Sequence, residues 1–154
     1  MKTTVILMGM LGATSLSAFS QTVTPPMNIE KSFNTKAPSA ERVEWKYDEG
    51  DNRWEVDYEK DGTDCSMAFS RSGDWLETEM EMKMKDIPEA VRATIKSDFA
   101  DYDIDEVEYV ETPEGSFYEL EAATKEGDEE KQYEIKISPE GEVVSKTEEQ
   151  KEAE

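Results

Sequence analysis

Arg53-Trp54-Glu55-Val56-Asp57-Tyr58-Glu59 changes character at every step, charged and then apolar. Successive side chains of a strand point to opposite faces, so this stretch has one face to bury and one to leave in water. Its neighbours follow the same rule. Val43, Trp45 and Tyr47 alternate with Arg42, Glu44 and Lys46, and Cys65, Met67 and Phe69 alternate with Asp64, Ser66 and Ala68. Leu76, Thr78, Met80 and Met82 alternate with Trp75, Glu77, Glu79 and Glu81. Glu49-Gly50-Asp51-Asn52, Lys60-Asp61-Gly62 and Ser72-Gly73-Asp74 separate these runs and suit hairpin turns. The spacing predicts an antiparallel meander with one wet face.

Outward from this meander the chain resembles itself. Pro26, Ile29, Phe33 and Ala37 recur, at constant spacing, as Pro88, Val91, Ile95 and Phe99. Val43 and Trp45 recur as Val107 and Tyr109, Trp54 and Val56 as Tyr118 and Leu120, and Cys65, Met67 and Phe69 as Tyr133, Ile135 and Ile137. The offset grows only at loops. Ile29, Phe33 and Ala37 stand at i, i+4 and i+8, which lines one side of a short helix, and proline suits the start of each helix. The expected class is therefore α+β: a tandem repeat of helix plus four-stranded antiparallel meander, with both helices on one face of a sheet of up to eight strands. The expected division is 1–20 export signal, 21–84 first repeat, 85–147 second repeat and 148–154 a disordered acidic tail. Lys125–Lys131, without an apolar residue, reads as a mobile hairpin tip.

Composition removes much chemistry. The 154 residues include 38 Asp+Glu against 17 Lys+Arg, a net charge of −21, no histidine and one cysteine, Cys65. There is no imidazole for a triad or a metal, and no pair of cysteines for an internal disulfide or a zinc site. The acidity argues against nucleic acid, whose phosphates need Lys and Arg. Lys2, the apolar-rich run Val5–Leu11 and Ala18-Phe19-Ser20 make a secretory signal, with cleavage expected after Ser20. The apolar run is too short to span a bilayer, so a periplasmic or secreted monomer without a membrane anchor is expected.

On the wet face the alternation places Arg53, Glu55, Asp57, Glu59, Glu77, Glu79, Glu119, Glu121, Glu134 and Lys136. Trp75 and Phe117 fall in the same phase and are candidate anchors for a partner. The candidate partner-binding residues are thus Glu55, Asp57, Trp75, Glu77, Glu79, Phe117, Glu119, Glu121 and Glu134. Trp45, Trp54, Tyr109 and Tyr118 lie in the core phase, as does Cys65, read as a small buried hydrophobe.

The pattern Pro88-x-x-Val91-x-x-x-Ile95-x-x-x-Phe99, followed by Val107-x-Tyr109, Tyr118-x-Leu120, Tyr133-x-Ile135-x-Ile137 and Pro139-x-Gly141, resembles the PepSY-like domains of exported bacterial proteins. That group is similar in fold to beta-lactamase inhibitory protein. The resemblance covers about residues 26–146. It implies a periplasmic or secreted binding module whose sheet face holds a partner, and it carries no catalytic residues to transfer. It does not imply that a beta-lactamase is the target. The inhibitor's disulfides also have no counterpart in a chain with one cysteine.

The leading expectation is a non-enzymatic exported module whose acidic sheet face contacts a basic protein or peptide, with inhibition as one form of that contact. No cofactor and no dedicated metal site is expected. The alternative is an envelope protein that gathers Ca²⁺ weakly through clustered carboxylates. Asp101-x-Asp103-x-Asp105 is not an EF-hand loop, because Glu106 and Thr112 stand where glycine and glutamate are needed. An enzyme built on paired carboxylates would need a cleft to desolvate one of them, and the pattern shows none.

Overall fold

The computed structural model describes residues 23–126 and 129–149. The export signal at 1–20, the tip of the 125–131 hairpin and the end of the acidic tail lie outside the described residues. In chain order the elements are α1 (Met27–Lys36), β1 (Glu41–Asp48), β2 (Arg53–Lys60), β3 (Thr63–Ser70) and β4 (Trp75–Glu81). Then follow α2 (Glu89–Asp98), β5 (Asp103–Thr112), β6 (Gly115–Glu126), β7 (Glu129–Ile137) and β8 (Val143–Glu148).

All strands belong to one 8-stranded sheet in the order β1-β2-β3-β4-β5-β6-β7-β8, and every neighbouring pair is antiparallel. This corrects the expected class. Among the described residues the molecule is mostly β, a single open sheet carrying only two helices of 10 residues each, rather than an α+β tandem repeat of helix plus four-stranded meander. The physical reason lies at the seam. β4 pairs with β5 through Thr78↔Glu111, Glu79↔Val110, Met80↔Tyr109 and Glu81↔Glu108, so the backbone ladder continues where the repeat boundary was expected.

The helices lie on the apolar face. Ile29 and Phe33 of α1 are buried with Val56, Tyr58, Met67 and Phe69, while Val91 and Ile95 of α2 are buried with Leu120, Tyr133, Ile135 and Ile137. Phe33 meets Trp45 and Tyr58 edge-on at 5.4 and 5.2 Å between ring centroids, a favourable aromatic geometry. Each helix is held by a hairpin turn. Gly73, between β3 and β4, sits against Asn28 and Ile29; Gly141, between β7 and β8, sits against Ala90 and Thr94. Thr94 Oγ1 donates to the Gly141 carbonyl at 2.6 Å. Asn28 Nδ2 donates to the Ser72 carbonyl at 3.0 Å.

Four strand pairings contain a register shift, and three of these bear on the sequence reading. Arg42 has a φ of 51° and β1 is bulged between Glu41 and Glu44, which leaves Val43 42% exposed instead of in the core. β5 is bulged between Ile104 and Glu106, so Asp103 and Asp105 belong to a strand rather than to a loop. Between β3 and β4, Ala68 pairs with Glu77 but Phe69 pairs with Trp75, which inserts one extra residue in β4. Strand pairing reaches the margins of two further segments. β6 and β7 pair through Lys125↔Glu130, and the amide of Glu149 donates to the Gln132 carbonyl at 2.9 Å.

Candidate functional site: the helix-free face

The face opposite the helices collects side chains from seven strands. Lys46 of β1 and Glu55, Asp57 and Arg53 of β2 lie at one end, with Ser66 and Ala68 of β3 beside them. Glu77 and Glu79 of β4 follow, then Glu106, Glu108 and Val110 of β5, Phe117, Glu119 and Glu121 of β6, and Glu134 and Lys136 of β7. A shallow depression is lined by Lys46, Glu55, Asp57, Ser66, Glu77 and Glu79.

Three cations hold part of this surface. Arg53 Nε donates to Glu55 Oε1 and its Nη1 to Glu77 Oε1, both at 2.8 Å. Burial opposes the Arg53 charge, but Glu77 and Glu55 more than offset it, and its pKa stands above the usual value. Lys136 bridges Glu119 and Glu134 at 3.0 Å each, and its pKa is likewise raised, burial being outweighed by Glu119. Lys46 pairs with Asp57.

The centre lacks such cations. Glu106, Glu121 and Glu134 stand opposite one another across β5, β6 and β7, and Glu81, Glu108 and Glu119 do so across β4, β5 and β6. Like charges directly opposite oppose pairing. Burial, followed by repulsion from Glu79, Glu106, Glu119 and Glu121, pushes the Glu108 carboxyl up to about 8. Burial pushes Glu121 up to about 7 with help from Glu106, and burial pushes Glu79 up to about 7 despite the hydroxyl of Ser66, which donates to it at 2.7 Å. Glu119 and Glu106 are raised for the same first cause. Among the described residues Glu79, Glu106, Glu108 and Glu121 form no ion pair.

Eight of the sequence-derived candidates share this face: Glu55, Asp57, Glu77, Glu79, Phe117, Glu119, Glu121 and Glu134. Phe117 is half-buried opposite Val110, with Lys136 Nζ 4.8 Å from its ring centroid. Trp75 is a correction. It lies on the helix side against the α1 core, because the extra residue in β4 reverses its phase, and its Nε1 donates to Thr78 Oγ1 at 2.9 Å. Sequence reasoning missed Glu106 and Glu108, although their alternation with Val107 and Tyr109 carried the signal. It also missed Val110 and Ala68, 1% and 3% exposed on the acidic face without belonging to either helix-side core.

Cys65 is buried and its Sγ lies 3.6 Å from the Thr63 carbonyl; burial, first among several causes, raises its pKa. Among the described residues no group of three or more carboxylates or thiols is arranged to hold a metal ion. No helix among them is long and apolar enough to cross a membrane.

An open antiparallel sheet roofed by helices on one side is a binding-module kind of fold. The chain belongs to the PepSY-like family, described as "Putative beta-lactamase-inhibitor-like, PepSY-like", whose model matches residues 52–145. Among solved structures it is similar to a BLIP-like protein from Bacteroides fragilis (19% identity, TM-score 0.72, covering 86% of this chain and 93% of that one). It is also similar to a DUF2874 family protein from Bacteroides ovatus (21% identity, TM-score 0.73, 82% and 89% covered). A third, from Bacteroides eggerthii and described as "putative periplasmic", has 20% identity and a TM-score of 0.71, with 82% and 90% covered. Among curated proteins none matches the chain significantly.

Proposed function

We propose that this protein is a non-enzymatic exported binding module whose acidic, helix-free face contacts a basic protein or peptide. The observation that carries the reading is the row of half-buried glutamates around Glu108. The fold holds these carboxylates close together, and among the described residues Glu79, Glu106, Glu108 and Glu121 have no cation paired to them, at a cost that a ligand's ammonium or guanidinium groups would relieve. Phe117 and Val110 supply an apolar centre inside the charged field, the arrangement of an interface anchor within a polar rim. Export is supported by the signal-like residues 1–20 and by the likeness to a "putative periplasmic" structure.

The test is calorimetric titration with a lysine-rich peptide at low and moderate salt. Saturable binding is expected, weakening as salt rises. It should be abolished when Glu77, Glu79, Glu119 and Glu121 are reversed to lysine, and survive when Glu49, Glu89, Glu114 and Glu140, none of them in these face rows, are reversed instead. Equal loss in both variants would reduce the effect to net charge and remove the site.

A further inference from the structure

The helix-bearing face holds a second feature, with chemistry opposite to the first. A helix is about 10–12 Å wide, while eight strands about 4.8 Å apart span more than 30 Å, so two helices cannot roof the whole sheet. α1 rests on the β1–β4 side and α2 on the β5–β7 side. The seam between them is left as a cleft lined by Lys36, Lys60, Trp75, Thr78, Met80 and Glu111, among others.

This cleft is poor in negative charge for a chain of net charge −21. Among the described residues neither Lys36 nor Lys60 is ion-paired, whereas Arg42, Lys46, Arg53 and Lys136 all have carboxylate partners. Lys36 Nζ instead lies 3.9 Å from the centroid of the Trp75 ring, a contact that holds an ammonium at an aromatic face. Trp75 donates its indole N–H to Thr78 Oγ1, so the Thr78 hydroxyl keeps its own proton to donate elsewhere. Met67 and Met80 extend the apolar wall, and thioethers pack well against aromatic rings.

We infer that this seam cleft is a binding site for a small aromatic carboxylate. The carboxylate would take Lys36, Lys60 and the Thr78 hydroxyl, and the ring would lie along Trp75 and the methionines. Glu111 is the opposing charge in the cleft, and Tyr58, also lining it, stays neutral because burial raises its pKa. The inference is independent of the proposed basic partner, since the two sites lie on opposite faces of the sheet.

The probe is 2-naphthoate, titrated into the full chain by calorimetry and by proton–nitrogen NMR of the three tryptophan indoles. Saturable one-to-one binding with a Kd of about 0.01–1 mM is expected, with the Trp75 indole resonance moving most. Lys36→Glu with Lys60→Glu should weaken it at least about tenfold while leaving the melting temperature within a few degrees, and Glu111→Gln should tighten it. The uncharged 2-naphthalenemethanol should bind more weakly and respond to none of these changes. Unmoved indole resonances, or affinity that survives the double lysine variant, would overturn the inference. Glu108→Gln on the other face should leave 2-naphthoate binding unchanged, which separates failure here from failure of the acidic face.

Discussion

A single glutamate illustrates what the acidic face costs. Unfolded glutamates titrate near about 4.3, whereas Glu108 is pushed up to about 8 and Glu79 and Glu121 up to about 7. Between those values the folded chain keeps protons that the unfolded chain has released. Raising the pH therefore draws the equilibrium toward unfolding, and the loss is complete once pH passes the folded values. The melting temperature is expected to fall between about pH 5 and pH 8.5. Glu108→Gln should leave it unchanged at the acid end and raise it at the alkaline end by about 3 °C or more, equivalent to about 1 kcal/mol in a domain of this size. A profile flat across that window would show that the carboxylates are not held together as described. The same linkage acts on binding. A cationic partner favours the ionised carboxylates, so affinity for the lysine-rich peptide should rise with pH from about 6 to 8.5, with protons released into the buffer.

At the scale of elements, two turn glycines make the sharpest comparison. Gly73 and Gly141 have φ of 98° and 90°, where a side chain is strained. A Cβ on Gly141 would stand 2.8 Å from the Ala90 carbonyl oxygen, which belongs to α2 itself, whereas one on Gly73 would meet the Asn28 amide at 2.5 Å, a side chain that can swing away. Gly141→Ala should cost about 2–3 kcal/mol by chemical denaturation and Gly73→Ala about 1–2; the reverse order would mean that α2 yields more easily than α1. Elements are also where sequence reading succeeds and fails. Ile29 with Phe33 and Val91 with Ile95 were legible as helix stripes, because a four-residue spacing has one geometric meaning. The glutamates of β2, β4, β6 and β7 were legible because alternation assigns a face. Trp75 and Val43 were not, since a bulge adds a residue without leaving a period in the sequence. Val110 and Ala68 were not, because cover by neighbouring side chains on a helix-free face depends on pairing that alternation does not state. The sheet's extent was legible only as an upper bound of eight strands: alternation names strands, but which edges meet is decided by pairing across the seam.

That seam determines how the whole molecule responds to stress. Two buried clusters, one under each helix, share a ladder in which Met80 faces Tyr109 and Thr78 faces Glu111. Melting either half would leave β4 or β5 as a raw edge, with unpaired backbone groups and half-buried Met80 or Tyr109 exposed. The native outer edges are better protected, β1 by its bulge and its charged Glu41, Arg42 and Glu44, and β8 by its short length and Lys146. Unfolding should therefore be one cooperative event. The chain contains its own reporter, for its three tryptophans, Trp45, Trp54 and Trp75, all pack with the α1 cluster. Tryptophan fluorescence follows that half, while far-ultraviolet circular dichroism follows the entire sheet. In urea the two signals should share one midpoint, and Leu120→Ala, in the α2 cluster, should move the tryptophan midpoint as far as the dichroism midpoint. Its cost should be about 2–5 kcal/mol, since Leu120 is fully buried. A tryptophan transition untouched by Leu120→Ala would mean that the halves unfold separately and that the β4–β5 ladder joins them without coupling them.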